Sequence, residues 1–157
     1  LEKLVAACPI KNDAKMRWER LDKSGYHWIN DAYNANPLSM SKSVETFAKL
    51  SAPARRIVVL GDMFELGVDS PLYHRQVGEV VGNNAAFFDL FVAIGKHSMV
   101  DMVAGAISCG MPKEKVFGFG SVAEARAALY EQGLLVEEDT ILIKASRGMG
   151  LEALLQK

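Results

Sequence analysis

Three short apolar runs do most to limit what this chain can fold into. Ile57-Val58-Val59-Leu60, Leu90-Phe91-Val92-Ala93-Ile94 and Ile141-Leu142-Ile143 contain no alternating polar residue. A strand with one wet face alternates apolar and polar side chains. A run without alternation fits a strand covered on both faces, as in a parallel sheet. Between these runs lie segments with helical spacing of apolar residues, joined by short connections. Strand alternating with helix in this way implies a doubly wound α/β fold, with a mostly parallel, Rossmann-like sheet and helices on both faces.

The remaining elements fit that frame. Residues 2–7 read as a helix end closed by Cys8-Pro9. Strand patterns at 16–21 and 26–30 flank Asp22-Lys23-Ser24-Gly25, a hairpin turn that attaches an N-terminal antiparallel strand. Asn36-Pro37 supplies a cap and a first-turn proline. Met40, Val44, Phe47 and Ala48 then give an apolar face to a helix that runs to about residue 50 and is stopped by Pro53. Ser70-Pro71 repeats the start, with Tyr73, Val77, Val80 and Val81 as the stripe. A helix over 98–108 ends at Gly110 and Pro112, and a weaker strand follows at 116–119. Ser121 and Glu124 form a capping-box pattern for a helix closed by Gly133, and a final helix begins at 151–155.

With 157 residues, the chain is most simply one domain. A net charge of −1, without blocks of like charge, gives no electrostatic support for nucleic-acid or membrane-surface binding. No apolar run approaches the roughly 18 residues of a membrane span, and no signal-peptide pattern opens the chain. Cys8 and Cys109 have no metal or redox spacing, which fits a reducing, cytoplasmic setting. Leu1 in place of Met, ahead of what reads as a helix end, points to a piece of a longer polypeptide.

Ligands of open parallel sheets lie beyond the carboxyl ends of the strands, which directs attention to the loops 31–36, 61–67, 95–98, 120–121 and 144–150. The first holds Asp31, Tyr33, Asn34 and Asn36, more hydrogen-bonding capacity than a turn needs, although an Asx-rich connector has the same composition. The second places Asp62 and Glu65 between glycines, suited to a cation, an amine or a ribose, or else to a solvated loop. The last sets Lys144, Ser146 and Arg147 at a helix start, an anion-binding arrangement or a solvent-facing basic loop. Gly118-Phe119-Gly120 lacks the third glycine of a dinucleotide fingerprint, and no G-x-x-x-x-G-K-S/T string occurs for a P-loop. His27, His74 and His97 are scattered and form no metal-ligand set. His74 and His97, at helix starts, read as polar surface residues, and Trp18 and Trp28 as core.

Several motifs together match one known group: Met16-Arg17-Trp18-Glu19, DAYNANP at 31–37, VLGDMFELG at 59–67, His74-x-x-Val77-Gly78 and LIKASRGM at 142–149. From about residue 10 onward the chain resembles the C-terminal domain of the Mur ligases, in particular the branch that adds D-Ala-D-Ala to UDP-N-acetylmuramoyl-tripeptide. Residues 1–9 would then be the tail of a preceding central ATPase domain. Two positions depart from the family pattern. Met16 stands where glycine is common, and Ala145 stands in a loop that often reads Lys-Gly-Ser.

The resemblance implies a three-domain, cytoplasmic, ADP-forming ligase of peptidoglycan synthesis. ATP phosphorylates the tripeptide carboxylate, and the amine of D-Ala-D-Ala attacks the resulting acyl phosphate. Magnesium and the P-loop belong to the central domain, so this piece alone would hold no metal and no catalytic residue of its own. By the family pattern Arg17 approaches the ATP phosphates and Asp31 the ribose, with Tyr33, Asn34 and Asn36 lining the same turn. Asp62, Glu65, Lys144, Ser146 and Arg147 are candidates for the dipeptide. The partners implied are the N-terminal and central domains of the same polypeptide. Other readings are a Mur-type ligase with a different amine acceptor, a free-standing doubly wound module such as a receiver-like domain, and a nicotinamide-dependent oxidoreductase fragment.

Overall fold

The computed structural model describes residues 15–52 and 54–157. One six-stranded sheet runs in the order β1-β2-β6-β3-β4-β5, with β1 Glu19–Lys23, β2 Tyr26–Asn30, β3 Arg56–Gly61, β4 Leu90–Ile94, β5 Val116–Phe119 and β6 Thr140–Lys144. All neighbouring pairs are parallel except β1 and β2. The unalternating runs are three of the four interior strands: β4 and β6 are buried at every residue, and β3 at all but its first.

Alternate residues of these strands enter two cores. Ile57, Val59, Val92, Ile94, Ile141 and Ile143 pack on one face with Ala125 and Leu129 of α4 (Val122–Tyr130) and with the 3-10 turn Leu151–Leu155. Val58, Leu60, Phe91, Ala93 and Leu142 pack on the other. There they meet α1 (Pro37–Lys49), α2 (Ser70–Asn83) and α3 (Val103–Ser108). Each such side chain contributes on the order of 1.5–3 kcal/mol when fully buried, so covering both faces is what the apolar runs require. The fold is doubly wound, as the alternation implies.

Local chemistry fixes the ends of the elements. Lys23 pairs with Tyr26, leaving Ser24-Gly25 as a two-residue hairpin loop with φ of 57° and 83°. Two positive φ values in succession match the twist of the flanking strands. The Asn36 side chain accepts from the Ser39 N–H at 2.8 Å while Ser39 Oγ accepts from the Asn36 N–H at 3.1 Å, a reciprocal cap on α1.

Other elements differ from their sequence patterns. β1 begins at Glu19 rather than residue 16, because Met16 and Trp18 take φ of 62° and 51° in a loop. The buried stripe of α2 is Ser70, His74, Val77, Gly78, Val81 and Gly82, while Tyr73 and Val80 are only partly covered. The reason is close helix packing: a β-carbon on Gly78 would lie 2.1 Å from the Met102 carbonyl oxygen, and one on Gly82 2.4 Å from that of Ala106. Glycines that face a neighbour do not register as an apolar face. Segment 98–108 opens with the π-helical turn Ser98–Met102 before α3, and the final helix is 3-10 rather than α. Ser121 caps the Glu124 N–H, but the Glu124 carboxylate accepts from Gly120 rather than completing the box. Trp28 lies in the core on the α4 face of the sheet, and Trp18 packs partly buried against the core on the opposite face. The helix expected at 2–7, Cys8-Pro9, the boundary at residue 9 and Pro53 lie outside the described residues.

Candidate functional site

β2 and β6 are neighbours, with Asn30 opposite Ile143, so the residue leaving β2 meets the last residue of β6. The Asp31 N–H donates to Ile143 O at 2.9 Å. Lys144 Nζ then lies 2.9 Å from Asp31 Oδ2 and donates to the carbonyls of Asn34 at 2.8 Å and Asp31 at 3.3 Å. The Asp31 carboxylate also accepts from the Trp18 N–H at 3.1 Å and from Ser43 Oγ at 2.7 Å. The lysine side chain is 5% exposed and the aspartate 16%. Three donors to a carboxylate with about four acceptor sites leave room for one ligand hydroxyl.

This pair floors an open hollow of about 210 Å³ lined by Arg17, Asp31, Tyr33, Asn34, Asn36, Ser39 and Lys144. The Arg17 guanidinium stacks 4.3 Å from the Tyr33 ring centroid. All five residues assigned from the sequence to a nucleotide therefore line one depression. Lys144, grouped from the sequence with the dipeptide residues, is placed here instead. The β2–β6 register brings it to Asp31, and strand order is not legible in spacing.

The second pair of loops meets one strand further along. Leu60 pairs with Lys144 and Gly61 with Ile94, so Asp62 emerges between the loops that follow β6 and β4. Its carbonyl accepts from the Ser146 N–H at 3.1 Å. Its carboxylate accepts from the N–H groups of Ser98 at 2.8 Å and His97 at 3.4 Å, capping the π-helical turn. Gly95 makes this possible: a β-carbon there would sit 2.5 Å from the Asp62 carboxyl carbon. Ser146 Oγ accepts from the Phe64 N–H at 2.8 Å. Asp62 and Ser146 are both buried and hold the loops together. Glu65 and Arg147 are exposed. Glu65 makes no side-chain hydrogen bond or ion pair among the described residues, while the Arg147 guanidinium donates to the sulfur of Met16.

A family model described as "Mur ligase, glutamate ligase domain" matches residues 16–147. The chain belongs to the Mur ligase family. It is 33% identical over 133 residues to the UDP-N-acetylmuramoyl-tripeptide–D-alanyl-D-alanine ligase of Bacillus subtilis (strain 168), covering 85% of this chain and 28% of that protein. The corresponding ligase of Escherichia coli (strain K12) is 33% identical over 131 residues, covering 82% and 26%. Among solved structures, a MurF from Acinetobacter baumannii superposes with a TM-score of 0.73 at 29% identity, over 90% of this chain and 30% of that one. The chain thus spans less than a third of the length of these relatives.

Both departures from the Mur ligase pattern acquire a physical context. Met16 adopts φ of 62°, a backbone conformation that favours glycine. Ala145 is fully buried, and its β-carbon lies 2.8 Å from where one on Gly61 would begin, so this pair of positions accommodates only one side chain.

Residues that sequence reasoning passed over also belong to this edge. Ser43 sits on the buried face of α1 beside Met40, Val44 and Phe47 and braces Asp31. His74, read as a surface residue, is fully buried on the α2 stripe; its four-residue spacing from Gly78 and three-residue spacing from Val77 were the available signal.

Proposed function

We propose that the chain is the C-terminal, closing domain of an ATP-dependent, ADP-forming ligase that adds D-Ala-D-Ala to UDP-N-acetylmuramoyl-tripeptide in peptidoglycan synthesis. The observation that carries this reading is the division of the sheet's carboxyl edge. A hollow with a carboxylate, a guanidinium and an aromatic ring lies beside a separate pair of loops that present Glu65 and Arg147. A ribose diol is met by a carboxylate acceptor, and phosphate charge by a planar guanidinium. Asp31 and Arg17 supply these, with Tyr33, Asn34 and Asn36 around them. The incoming dipeptide is a zwitterion and needs a cation for its carboxylate and an acceptor for its ammonium. Arg147 and Glu65 have those signs, while Asp62 and Ser146 fix the loops that carry them.

In the proposed reaction the γ-phosphoryl group of ATP passes to the terminal carboxylate of the tripeptide. The dipeptide amine attacks the acyl carbon; a C–N bond forms, the bond to the phosphate oxygen breaks, and ADP and phosphate are released. The residues of this chain bind, orient and exclude water, which matters because an acyl phosphate hydrolyses. Magnesium and the P-loop are assigned to a central domain, with an N-terminal domain for the nucleotide sugar. Among the described residues no group of three or more His, Cys, Asp or Glu side chains could hold a metal. No described helix is long and apolar enough to cross a membrane. ATP and UDP-linked substrates place the proposed reaction in the cytoplasm.

The test is an amine-acceptor panel with the ligase that contains this chain. ATP-dependent amide formation with D-Ala-D-Ala, and little with single amino acids, is the expected result. Preference for a single amino acid would assign a sibling reaction, and binding of a nicotinamide cofactor at the hollow would refute the ligase reading.

A further inference from the structure

His74 is an imidazole in a place where the fold alone calls for an apolar residue. It is 0% exposed, on the face of α2 that packs into the core. Both ring nitrogens are engaged on opposite sides. Nε2 lies 2.9 Å from the Met63 backbone nitrogen, whose N–H donates to it. Nδ1 lies 2.7 Å from the Ser70 carbonyl oxygen, which can only accept. These partners settle the proton: Nδ1 carries it, Nε2 does not, and the ring is neutral. The Ser70 hydroxyl at 3.3 Å from Nδ1, the Asp62 carboxylate at 3.7 Å from Nε2 and the His97 ring at 5.2 Å complete the polar surroundings. Burial pushes the imidazole below its ordinary 6.5, opposed by the Ser70 carbonyl and by Asp62.

The bonded N–H is what gives this arrangement consequence. Met63 and Phe64 are consecutive, and their amides are held from two sides: Met63 by His74 on α2, Phe64 by Ser146 Oγ on the loop after β6. The Phe64 ring lies against Gly148, where a β-carbon would come within 2.8 Å of it. Glu65 follows at φ of 62°, a strained conformation for a residue with a side chain. The two-sided grip acts on the two residues that immediately precede Glu65 and so bears directly on the direction in which Glu65 leaves the loop.

We propose that His74, as a neutral Nδ1–H imidazole, is a positioning residue that aims Glu65 and seats the Arg147 loop for the incoming dipeptide. A glutamine offers its donor and acceptor from one carbon and cannot span both partners. A phenylalanine fills the space and leaves the Met63 N–H buried without an acceptor. The substrate side of the proposal rests on the ligase reading; the proton assignment and the grip on the loop do not.

The experiment therefore has two arms. In the 15N-labelled chain at pH 7, His74 should show a protonated Nδ1 and an unprotonated Nε2, with slow exchange of the Met63 amide that becomes fast in His74→Phe. An Nε2–H or doubly protonated ring, or a Met63 amide indifferent to the variant, overturns the proposal whatever the enzyme does. In the complete ligase, His74→Gln and His74→Phe should raise KM for D-Ala-D-Ala by roughly tenfold or more, the size of a lost buried hydrogen bond, with KM for ATP within about twofold of wild type. Equal changes in both constants, or none, overturn it while leaving the ligase reading intact. Absence of ligation by the wild type would instead remove the ligase reading, and the first arm would still decide the loop's dependence on His74.

Discussion

Replacing Lys144 by Met removes one charge from a pair that organises the whole turn after β2. The ammonium contacts the Asp31 carboxylate at 2.9 Å and the carbonyls of Asn34 and Asp31 at 2.8 and 3.3 Å. Methionine retains most of the buried alkyl stem, so the loss is chiefly electrostatic. Breaking a buried pair by removing one partner costs about 3–5 kcal/mol, because a charge is left behind in a poor solvent. Here the carboxylate keeps the Trp18 N–H and the Ser43 hydroxyl and is 16% exposed, which argues for the lower end, about 3 kcal/mol. For a chain of this size that corresponds to a fall in Tm of roughly 6–12 °C. Urea and thermal unfolding of Lys144→Met, Asp31→Asn and the double variant provide the assay. The double variant should be less unstable than the sum of the singles, with a coupling of roughly 1–3 kcal/mol. A loss below about 1 kcal/mol for Lys144→Met, the scale of an exposed pair, would refute the view that this lysine braces the turn.

Further consequences are open to direct measurement. Gly78→Ala places a β-carbon 2.1 Å from the Met102 carbonyl oxygen and should destabilise the chain by about 1–3 kcal/mol or more, read from urea midpoints. Ser146→Ala leaves the Phe64 N–H without its acceptor; a loss of about 1–3 kcal/mol and faster exchange of that amide are expected. The folded-state pKa of His74 is lowered by burial, so the unfolded chain binds the extra proton more readily. Its contribution is complete above 6.5 and falls away as pH drops below that value; stability of His74→Phe should depend less on pH over that window. A dipeptide amidated at its C-terminus should be a poor substrate of the ligase, and Arg147→Lys should add little to that defect.

Much of the fold was legible because burial on both faces leaves a plain mark in sequence. The runs at 57–60, 90–94 and 141–143 became three of the four interior strands, and Asn36-Pro37 and Ser24-Gly25 acted locally as cap and turn. Periodicity misled where close packing replaces hydrophobicity. On α2 Val77 and Val81 share the buried stripe with His74, Gly78 and Gly82, so Tyr73 and Val80, counted from the sequence, lie at its margin. The hollow after β2 was visible as a concentration of Asp, Tyr and Asn, but its lysine was not. Lys144 joins Asp31 only because β6 lies between β2 and β3, and strand order is set by tertiary packing. For the same reason Asp62 looked like a ligand carboxylate, although the β3–β4 register turns it onto the amides of His97 and Ser98.

The central claim is that two neighbouring loop systems read two different substrates. Steady-state constants for ATP and D-Ala-D-Ala, measured side by side for Asp31→Asn and Arg147→Lys in the complete ligase, test it most directly. The account predicts opposite splits. Asp31→Asn should raise KM for ATP by roughly tenfold or more through loss of a charged hydrogen bond and leave the dipeptide nearly unaffected. Arg147→Lys should do the reverse, because lysine cannot reproduce the bidentate fork that a carboxylate accepts. Parallel rises in both constants for both folded variants would contradict the account and mean that this edge acts as a single closing surface.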